Sequence, residues 1–590
     1  MSKIKVSDIV IDFLASKNID TVFGVSGGAS LHLLDSVDKH PSLDLICNHH
    51  EQHSAMSADA YARATGKFGA VVATSGPGAT NLITGIACSF YDSVPLLCLT
   101  GQVSTFRQVG ETNTRQIGFQ ETPIVDMLKP ITKFSKQLSN PEEIYSILED
   151  AFLMMMDGRK GPVHIDLPDN LVRSYVEPKP FGEPKILNKK IDGRPKYLSK
   201  LSDCLKRSQR PVIIFGAGAR KIKYNNTLIG DIEKLRIPVV TTWGATDFFN
   251  HDAHAYFGNF GTHGLRVSNF AVQNSDLVIS IGARLDTKAT GTPVNTFART
   301  AKKVMVDIDV NEIKKFKHFD LNLDIEIESD SAEFLFHSME TLQNFSGAFE
   351  KWIDNLSVWR NELKTVEREF RSSQGSLSAY RFVNRISECL TDDCDIISDT
   401  GCILAWLMQH FPFKKTQSFY HDFNNTAMGW SLPAVTGVYK ANRKREINCF
   451  VGDGSFMMSL QELSVIRHHN IPVNIYVINN DGYSMIKQTQ DQWLNSSYVG
   501  SDGANNLTFP KFESIAQSFG FKYFYLNAEN EWPKNLKNFL AINQPKIIEV
   551  RIPSNARVIP QTKFGRPNED LEPLLSDEQF SKYMLIDTLR

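Results

Sequence analysis

The sequence lacks the features that would mark a secreted, membrane-spanning or nucleic-acid-binding protein. Its eight cysteines are scattered and form no CxxC pair, which is typical of reduced thiols in a cytoplasmic protein rather than of disulfides or a zinc site. No uninterrupted apolar run approaches the roughly 20 residues that a membrane span requires, and the first residues show no signal-peptide core. The net charge of −2 gives no basic excess for a nucleic-acid surface. We therefore expect a cytoplasmic globular protein.

Three stretches of the chain alternate short apolar strands with helical patterns. A chain of 590 residues is too long for a single hydrophobic core, and strands that alternate with helices indicate parallel sheets covered on both faces. A Pro- and Lys-rich linker separates the first two stretches. The sequence predicts an α/β protein with three doubly wound parallel-sheet domains at 1–175, 190–345 and 370–560, followed by a C-terminal tail at 561–590.

Two oxygen-bearing side chains end consecutive predicted strands of the third domain. Asp453 follows the strand "INCFVG", and Asn480 follows the strand "PVNIYVIN". Because neighbouring parallel strands end at the same edge of a sheet, we expect both side chains at one point, where open α/β sheets bind ligands. A backbone carbonyl at Gly482 would add a third oxygen. Such an incomplete set of hard ligands suits Mg²⁺ that also binds phosphate oxygens.

The residues around Asp453 favour an anion beside the metal. A helix predicted from Ser455 directs free N–H groups towards a phosphate, and Gly452 and Gly454 allow a ligand to approach the backbone closely. The combined pattern GDGS, helix, strand and NNDG looks like the signature of thiamine-diphosphate enzymes. Thiamine chemistry also needs a carboxyl group beside the pyrimidine ring of the cofactor, and Glu51 lies at a strand-to-helix junction where such a group is expected.

With these motifs in place, the chain resembles the acetolactate synthase catalytic subunit and its relatives among thiamine-diphosphate decarboxylases. The resemblance covers nearly the whole length in the order pyrimidine-binding, central and diphosphate-binding domain. Besides the metal motif, it rests on "GVSGGA" at 24–29, "HEQ" at 50–52, "ATSGPGATNLITGIA" at 73–87, "GFQE" at 118–121 and "TAMGWSLPA" at 426–434.

The resemblance implies a role for each matching residue. Glu51 would be the activating acid, and Met428 would be the apolar wedge that bends the cofactor. It further implies a homodimer or homotetramer with the active site between chains, and small-molecule substrates rather than nucleic acid or membrane. The metal ligands would be Asp453, Asn480 and Gly482, the diphosphate would lie against Gly452, Gly454 and Ser455, and Gly28, Phe119 and Gln120 would line the substrate side.

The central domain has segments at the places where acetolactate synthases contact FAD. A GxG sequence after a strand is common and is weak evidence by itself. Here, however, four segments at the positions of the family's FAD contacts occur together. By the resemblance, the FAD would be structural. The implied contacts are Gly216 and Gly218 in "IIFGAGA", Gly282 and Arg284 in "ISIGARLD", Asp307 in "VDID", and His263 in "FGNFGTHG".

The chain departs from the family pattern where the acceptor substrate is expected. Asp169 replaces a lysine, Thr262 a methionine, Lys288 an arginine and Thr489 a tryptophan. A lysine cannot form the two parallel hydrogen bonds by which an arginine binds a carboxylate. These changes favour a larger, more polar acceptor than a 2-keto acid. One relative that uses such an acceptor is the FAD-containing carboligase that adds a two-carbon unit from pyruvate to a nucleotide-activated 4-keto deoxysugar.

The resemblance therefore implies a carboligase that decarboxylates pyruvate and transfers the two-carbon acetyl unit to a carbonyl acceptor. True acetolactate synthase, which condenses two 2-keto acids, is the first alternative. A flavoenzyme of the pyruvate oxidase type is the second. A dinucleotide-dependent dehydrogenase would leave the metal motif unexplained, and a non-catalytic relative would be expected to lack Glu51.

Overall fold

Each of the three predicted α/β blocks contains one six-stranded parallel sheet, which confirms the predicted fold class. The computed structural model describes residues 2–182, 196–372, 377–442, 444–504, 506–527 and 534–589, excluding the side chains of 369–372. The predicted start of the central domain at 190, and most of the predicted linker, lie outside these residues. All eight cysteines are free thiols, and five of them are buried.

The N-terminal sheet has the strand order β3-β2-β4-β5-β7-β6, and the short strands β1 and β8 pair separately. The strand β4 is fully buried, as expected of a central strand covered by helices on both faces. The strands are β1 Ile4–Lys5, β2 Thr21–Gly24, β3 Asp44–Cys47, β4 Gly69–Ala73, β5 Leu96–Gln102, β6 Phe134–Gln137, β7 Val163–Pro168 and β8 Tyr175–Val176.

The central sheet has the order β11-β10-β9-β12-β13-β14 and buries the β-branched runs that the sequence placed in strands. The reversal of strand order beside β9 opens a crevice at the carboxyl ends of β9 and β12, where such sheets bind ligands. The strands are β9 Pro211–Phe215, β10 Val239–Thr241, β11 Tyr256–Asn259, β12 Leu277–Ile281, β13 Lys302–Asp307 and β14 Ile325–Glu328.

The C-terminal sheet has the order β16-β15-β17-β18-β20-β19, so that β17 and β18 are neighbours. Their register places Gly452 opposite Ile478. The strands are β15 Cys394–Ser398, β16 Ser418–Tyr420, β17 Glu446–Gly452, β18 Val473–Asn479, β19 Lys522–Leu526 and β20 Lys546–Arg551, with β21 Gln561–Thr562 and β22 Leu571–Glu572 as a separate antiparallel pair.

Helices cover the faces of all three sheets. Among the described residues, no helix is both long and apolar enough to cross a bilayer. The helices are α1 Val6–Ser16, α2 Leu31–Lys39, α3 Glu51–Thr65, α4 Pro77–Asn81, α5 Ile83–Asp92, α6 Ile124–Leu128, α7 Ile144–Met156, α8 Asp169–Val172, α9 Tyr197–Arg207, α10 Arg220–Lys223, α11 Asn226–Lys234, α12 Arg266–Gln273, α13 Thr287–Thr290, α14 Val310–Lys314, α15 Ser331–Gln343, α16 Glu350–Ser372, α17 Ala379–Ser387, α18 Cys402–His410, α19 Ser431–Ala441, α20 Asp453–Met458, α21 Glu462–His468, α22 Ser484–Trp493, α23 Phe512–Ser518, α24 Lys534–Leu540 and α25 Asp577–Tyr583.

The C-terminal tail returns to the central domain and completes its core. The helix α25 places Phe580 and Tyr583 in the same hydrophobic cluster as Phe270 of α12. The Asn274 Nδ2 group donates a hydrogen bond to the carbonyl oxygen of Tyr583 at 2.7 Å. The tail is therefore an integral part of the central domain, and its removal would expose apolar surface.

A buried carboxylate is one of several links between the N-terminal and C-terminal domains of the same chain. Glu462, in α21, has no exposed side-chain surface and accepts hydrogen bonds from Asn48 Nδ2 at 2.8 Å and from the His49 backbone N–H at 3.1 Å. Its Oε1 also lies 2.9 Å from His53 Nδ1. These contacts fix the start of α3, and hence Glu51, relative to the C-terminal sheet.

Candidate active site

Asp453 lies at the carboxyl end of β17 and is buried. Its Oδ1 accepts a hydrogen bond from the Gly454 backbone N–H at 2.7 Å. Its Oδ2 accepts from the N–H groups of Asn480 at 3.1 Å and Gly482 at 3.2 Å. Burial raises the pKa of Asp453 to about 6 because desolvation disfavours the charged form. The carboxyl group thus ties the end of β17 to the loop after β18.

Asn480 follows β18 directly and lies beside Asp453, as the parallel-sheet argument predicts. Its Nδ2 donates to Ser484 Oγ at 2.7 Å, whereas its buried Oδ1 has no hydrogen-bond partner among the described residues. A buried amide oxygen without a partner costs free energy. A hard divalent cation next to Asp453 would satisfy this oxygen, so the donor set fits Mg²⁺.

The glycines of this edge are required for different reasons. A Cβ on Gly454 would lie 2.0 Å from Cε1 of Tyr483, and a Cβ on Gly482 would lie 2.4 Å from the Ser501 carbonyl oxygen. Packing within the chain therefore accounts for these two glycines. A Cβ on Gly452, in contrast, would meet no atom within 4 Å, so Gly452 faces space that a ligand could enter.

The segment that carries Met428 is held by an aspartate that the sequence analysis did not single out. Asp399, directly after β15, accepts hydrogen bonds from the backbone N–H groups of Gly429 at 3.1 Å and Ser431 at 2.9 Å. Burial raises the pKa of Asp399. Met428 itself is half-buried. The motif "ISDTG" at 397–401 was the available signal, because it places a carboxyl group after a buried strand just as the GDGS motif does.

Glu51 is the first residue of α3 and its side chain is buried. Its Oε2 accepts a hydrogen bond from Asn81 Nδ2 at 2.9 Å. Its Oε1 faces Gly78, where an added Cβ would lie 3.2 Å away. Among the described residues, no hydrogen bond joins Glu51 or Asn81 to Asp453.

The residues predicted on the substrate side border an open face of the N-terminal domain. A Cβ on Gly28 would meet no atom within 4 Å. Gln120 adopts a left-handed φ of +64° and packs against Gly76, where a Cβ would lie 2.9 Å from the Gln120 Cβ. Phe119 is 85 % exposed. A large aromatic ring is expensive to leave in water, so this face lacks a covering element in the single chain.

Three glycines of the predicted FAD segments pack against one another at the ends of β9 and β12. The Gly218 N–H donates to the Gly282 carbonyl oxygen at 2.9 Å, and Gly282 has a φ of +58°. A Cβ on Gly216 would lie 2.3 Å from the same oxygen. These glycines are needed to bring two loops of the central sheet together, whatever ligand the crevice holds.

Polar groups with incomplete partners lie in the same domain. Arg284 Nε is 3.5 Å from Glu312 Oε1, but this contact lacks hydrogen-bond geometry and Nε has no other partner among the described residues. Asp307 ends β13, accepts a hydrogen bond from the Asp309 N–H at 2.9 Å, and has its pKa raised to about 6 by burial. The buried Trp243 Nε1 is also without a partner in the described chain.

Two predicted acceptor residues and His263 meet around the Trp243 ring. The Thr262 N–H donates to the Lys288 carbonyl oxygen at 2.8 Å, and the Lys288 ammonium group lies 4.6 Å from the Trp243 ring centroid. The His263 ring lies 5.3 Å from the same ring, and burial lowers the pKa of His263 to about 3. Trp243 could not be singled out from the sequence, because a tryptophan after an apolar strand is typical of a core.

The other predicted acceptor residues lie elsewhere. Asp169 begins α8 in the N-terminal domain and accepts a hydrogen bond from Ser104 Oγ. Thr489, on α22 of the C-terminal domain, donates to the Met485 carbonyl oxygen at 3.2 Å. The single chain thus distributes these residues over three domains, and the described hydrogen bonds do not join them into one face.

Comparison with known proteins assigns each sheet to a known domain. The model of the thiamine pyrophosphate enzyme N-terminal TPP binding domain matches residues 4–126, that of the central domain matches 198–335, and that of the C-terminal TPP binding domain matches 399–550. Asp453 and Asn480 lie within the third match, and Glu51 lies within the first.

Two relatives that match over nearly the whole chain are named acetolactate synthases. Acetolactate synthase 1, chloroplastic, of Zea mays is 30 % identical over 585 residues, which span 96 % of this chain and 88 % of that protein. The acetolactate synthase large subunit of Lactococcus lactis subsp. lactis (strain IL1403) is 30 % identical over 97 % of both chains. The chain therefore belongs to the acetolactate synthase family of thiamine-diphosphate-dependent enzymes, which form carbon–carbon bonds.

Proposed function

We propose that this enzyme decarboxylates pyruvate and transfers the resulting two-carbon acetyl unit to a carbonyl acceptor, with Mg²⁺ and thiamine diphosphate bound at the edge of the C-terminal sheet. The observation that carries the proposal is the meeting of Asp453 with the unpartnered Oδ1 of Asn480. No hydrogen bond within the described chain explains that buried oxygen, whereas a metal ion explains it directly.

Each cluster of side chains has a part in this reaction. Asp453, Asn480 Oδ1 and the Gly482 carbonyl would hold Mg²⁺, and the open space at Gly452 would admit the diphosphate. When bound, thiamine diphosphate supplies the nucleophilic carbon and the electron sink for decarboxylation. Asn81 donates to Glu51 Oε2, which leaves Oε1 to carry the proton that Glu51 shares with the cofactor.

The acceptor is the finer part of the proposal. Lys288 offers a single point charge over Trp243, and Thr489 leaves space where the family has an aromatic ring. These features favour a large polar acceptor, such as a nucleotide-activated 4-keto deoxysugar. The second candidate is acetolactate synthase itself, in which the acceptor is a 2-keto acid. It is favoured by the names and the nearly complete coverage of the relatives.

Labelled pyruvate separates these candidates. The holoenzyme is incubated with ¹³C-pyruvate and, in parallel, with 2-keto acids or nucleotide-activated keto sugars, and the products are identified by mass. A labelled branched sugar supports the first candidate, and labelled acetolactate with no sugar product supports the second. Peroxide formation without a carbon–carbon bond would instead indicate an oxidase and contradict both.

We further propose that FAD occupies the crevice of the central sheet. Arg284 Nε and Trp243 Nε1 are donors without hydrogen bonds in the described chain, and they fit a ligand with many acceptor oxygens. We expect purified protein to show a flavin spectrum, and Arg284→Met to lose most of the flavin because its charge-assisted contact contributes about 1.5–3 kcal/mol. Flavin released from denatured protein is quantified by absorbance.

Lys317→Met serves as the control for this experiment, because Lys317 is an exposed cation in the same domain. It should retain the full flavin content. A colourless protein that binds no added FAD would refute the cofactor. Equal flavin content in both variants would refute the role of Arg284 alone.

The enzyme should act as a homodimer or larger assembly in which Glu51 of one chain serves the metal motif of another. The exposed Phe119 on the substrate side of the N-terminal domain supports this arrangement, because another chain could cover it. Mixed expression of Glu51→Gln and Asp453→Asn chains should therefore restore activity, because some assemblies would hold one intact site. If purified mixed dimers are as inactive as either parent, each site is built from a single chain.

A cytoplasmic location stays a prediction, based on the eight free thiols.

A further inference from the structure

A cavity of about 730 Å³ lies between the central and C-terminal domains. Its walls are the edge strand β11, the start of α12, one face of α16, and the helices α17 and α18. None of the residues assigned above to thiamine diphosphate, Mg²⁺ or FAD lines it. Its volume lies within the range of pockets that hold small-molecule ligands, roughly 300–1,000 Å³.

The lining is strongly basic. Five arginine or lysine side chains face two carboxylates, which gives a formal excess of three positive charges. Burial lowers the pKa of His251, so this histidine is neutral and adds no charge. The cations are Arg266, Arg360, Lys364, Arg368 and Arg381, the carboxylates are Asp252 and Glu367, and His251 and His410 also line the cavity.

Two of the cations are placed to act together. Arg360 and Lys364 lie four residues apart on α16, where like charges repel each other and destabilise a helix. Arg360 donates to the Tyr256 carbonyl oxygen at 3.1 Å and lies 5.0 Å from the Phe257 ring centroid. Neither cation forms an ion pair with a carboxylate in the described part of the chain, and burial lowers the pKa of both.

We infer that this cavity is a further ligand site, which binds a phosphate-bearing metabolite of about nucleotide size between Arg360 and Lys364. A guanidinium group binds phosphate through two parallel hydrogen bonds, and an ammonium group adds a point charge. An anion in this position would relieve the repulsion between the two cations. The aromatic residues Tyr256 and Phe257 provide apolar surface for the organic part of the ligand.

The cavity also borders the Thr262–His263 segment, which belongs to the proposed acceptor region. Gln409, which lines the cavity, donates to the carbonyl oxygens of His263 at 2.9 Å and Pro560 at 2.8 Å. Its Oε1 accepts from the hydroxyl group of Tyr380 at 2.8 Å. A ligand in the cavity would therefore contact Gln409, which holds the Thr262–His263 segment in place through its hydrogen bond to His263.

Calorimetric titration of the holoenzyme with ADP tests the inference. Thiamine diphosphate, Mg²⁺ and FAD are added in excess so that ADP cannot occupy their sites. We expect wild-type protein to bind ADP, and Arg360→Met/Lys364→Met to bind at least about tenfold more weakly, because two charge-assisted contacts are lost. Adenosine, which has no phosphate, should bind no more tightly to wild-type protein than ADP does to the double variant.

Lys351→Met is the matched control, since Lys351 is an exposed cation of α16 that does not line the cavity. It should bind ADP as wild-type protein does. If the double variant does not fold, Lys364→Met alone provides the test, because this side chain is more exposed than that of Arg360. The inference is overturned if wild-type protein binds no ADP, if the cavity variants bind it equally well, or if adenosine binds as tightly as ADP.

Discussion

Replacement of Glu51 by glutamine should reduce turnover of pyruvate by at least about 100-fold, the lower range for loss of a proton-transferring group. Glutamine keeps the size of the side chain and can still accept the hydrogen bond from Asn81 Nδ2. It cannot hold a transferable proton, however. The fold should therefore survive while the cofactor is no longer activated. Pyruvate consumption at saturating cofactor, together with the thermal unfolding midpoint, measures the two effects separately.

Glu142→Gln is the control for general effects of this exchange, because Glu142 is an exposed glutamate near a helix start in the same domain. We expect wild-type turnover from it. A Glu51→Gln enzyme with wild-type turnover would show that Glu51 does not activate the cofactor.

The second large effect is expected from Asp453→Ala, which should weaken Mg²⁺-dependent binding of thiamine diphosphate by about 100-fold or more. Even groups that only orient a metal ligand commonly contribute 10–100-fold to affinity, and Asp453 is proposed as a ligand itself. The alanine variant also leaves the N–H groups of Gly454, Asn480 and Gly482 without their acceptor. Calorimetric titration with thiamine diphosphate at several Mg²⁺ concentrations measures the loss.

Asp453→Asn separates the charge from the packing, because it keeps the volume and one acceptor oxygen. Its NH2 group cannot accept from the backbone N–H groups that face Asp453, so we expect some loss of stability and weak residual binding of the cofactor. Asp481→Asn changes a partly exposed carboxylate in the same loop and should have little effect. Unchanged affinity in Asp453→Asn would remove Asp453 from the metal ligands.

The α/β fold and the proximity of Asp453 and Asn480 could both be predicted from short-range patterns in the sequence. Buried strands such as β18 are apolar over most of their length, so their parallel pairing in three sheets could be predicted. The proximity of Asp453 and Asn480 needed only the rule that consecutive strands of this type are neighbours. No knowledge of long-range packing was required for either inference.

Contacts between distant segments could not be predicted in this way. Asp399 holds a loop that lies 30 residues further along the chain, and no local period in the sequence indicates such a pairing. Gly454 was interpreted as space for a ligand, but the Tyr483 ring occupies that space. Which of the predicted acceptor residues meet likewise depends on how three domains pack, and no local pattern in the sequence encodes that packing.

The buried Glu462 has a consequence for how two active sites would communicate. It fastens the start of α3 to the C-terminal domain of the same chain, while Glu51 at that start would reach into the site of a neighbouring chain. A movement of one C-terminal domain around its cofactor would then also shift α3 of the same chain, which carries the Glu51 of the other site. Thermodynamic linkage requires such an effect to be reciprocal, so the paired sites of an assembly should fill with unequal affinities.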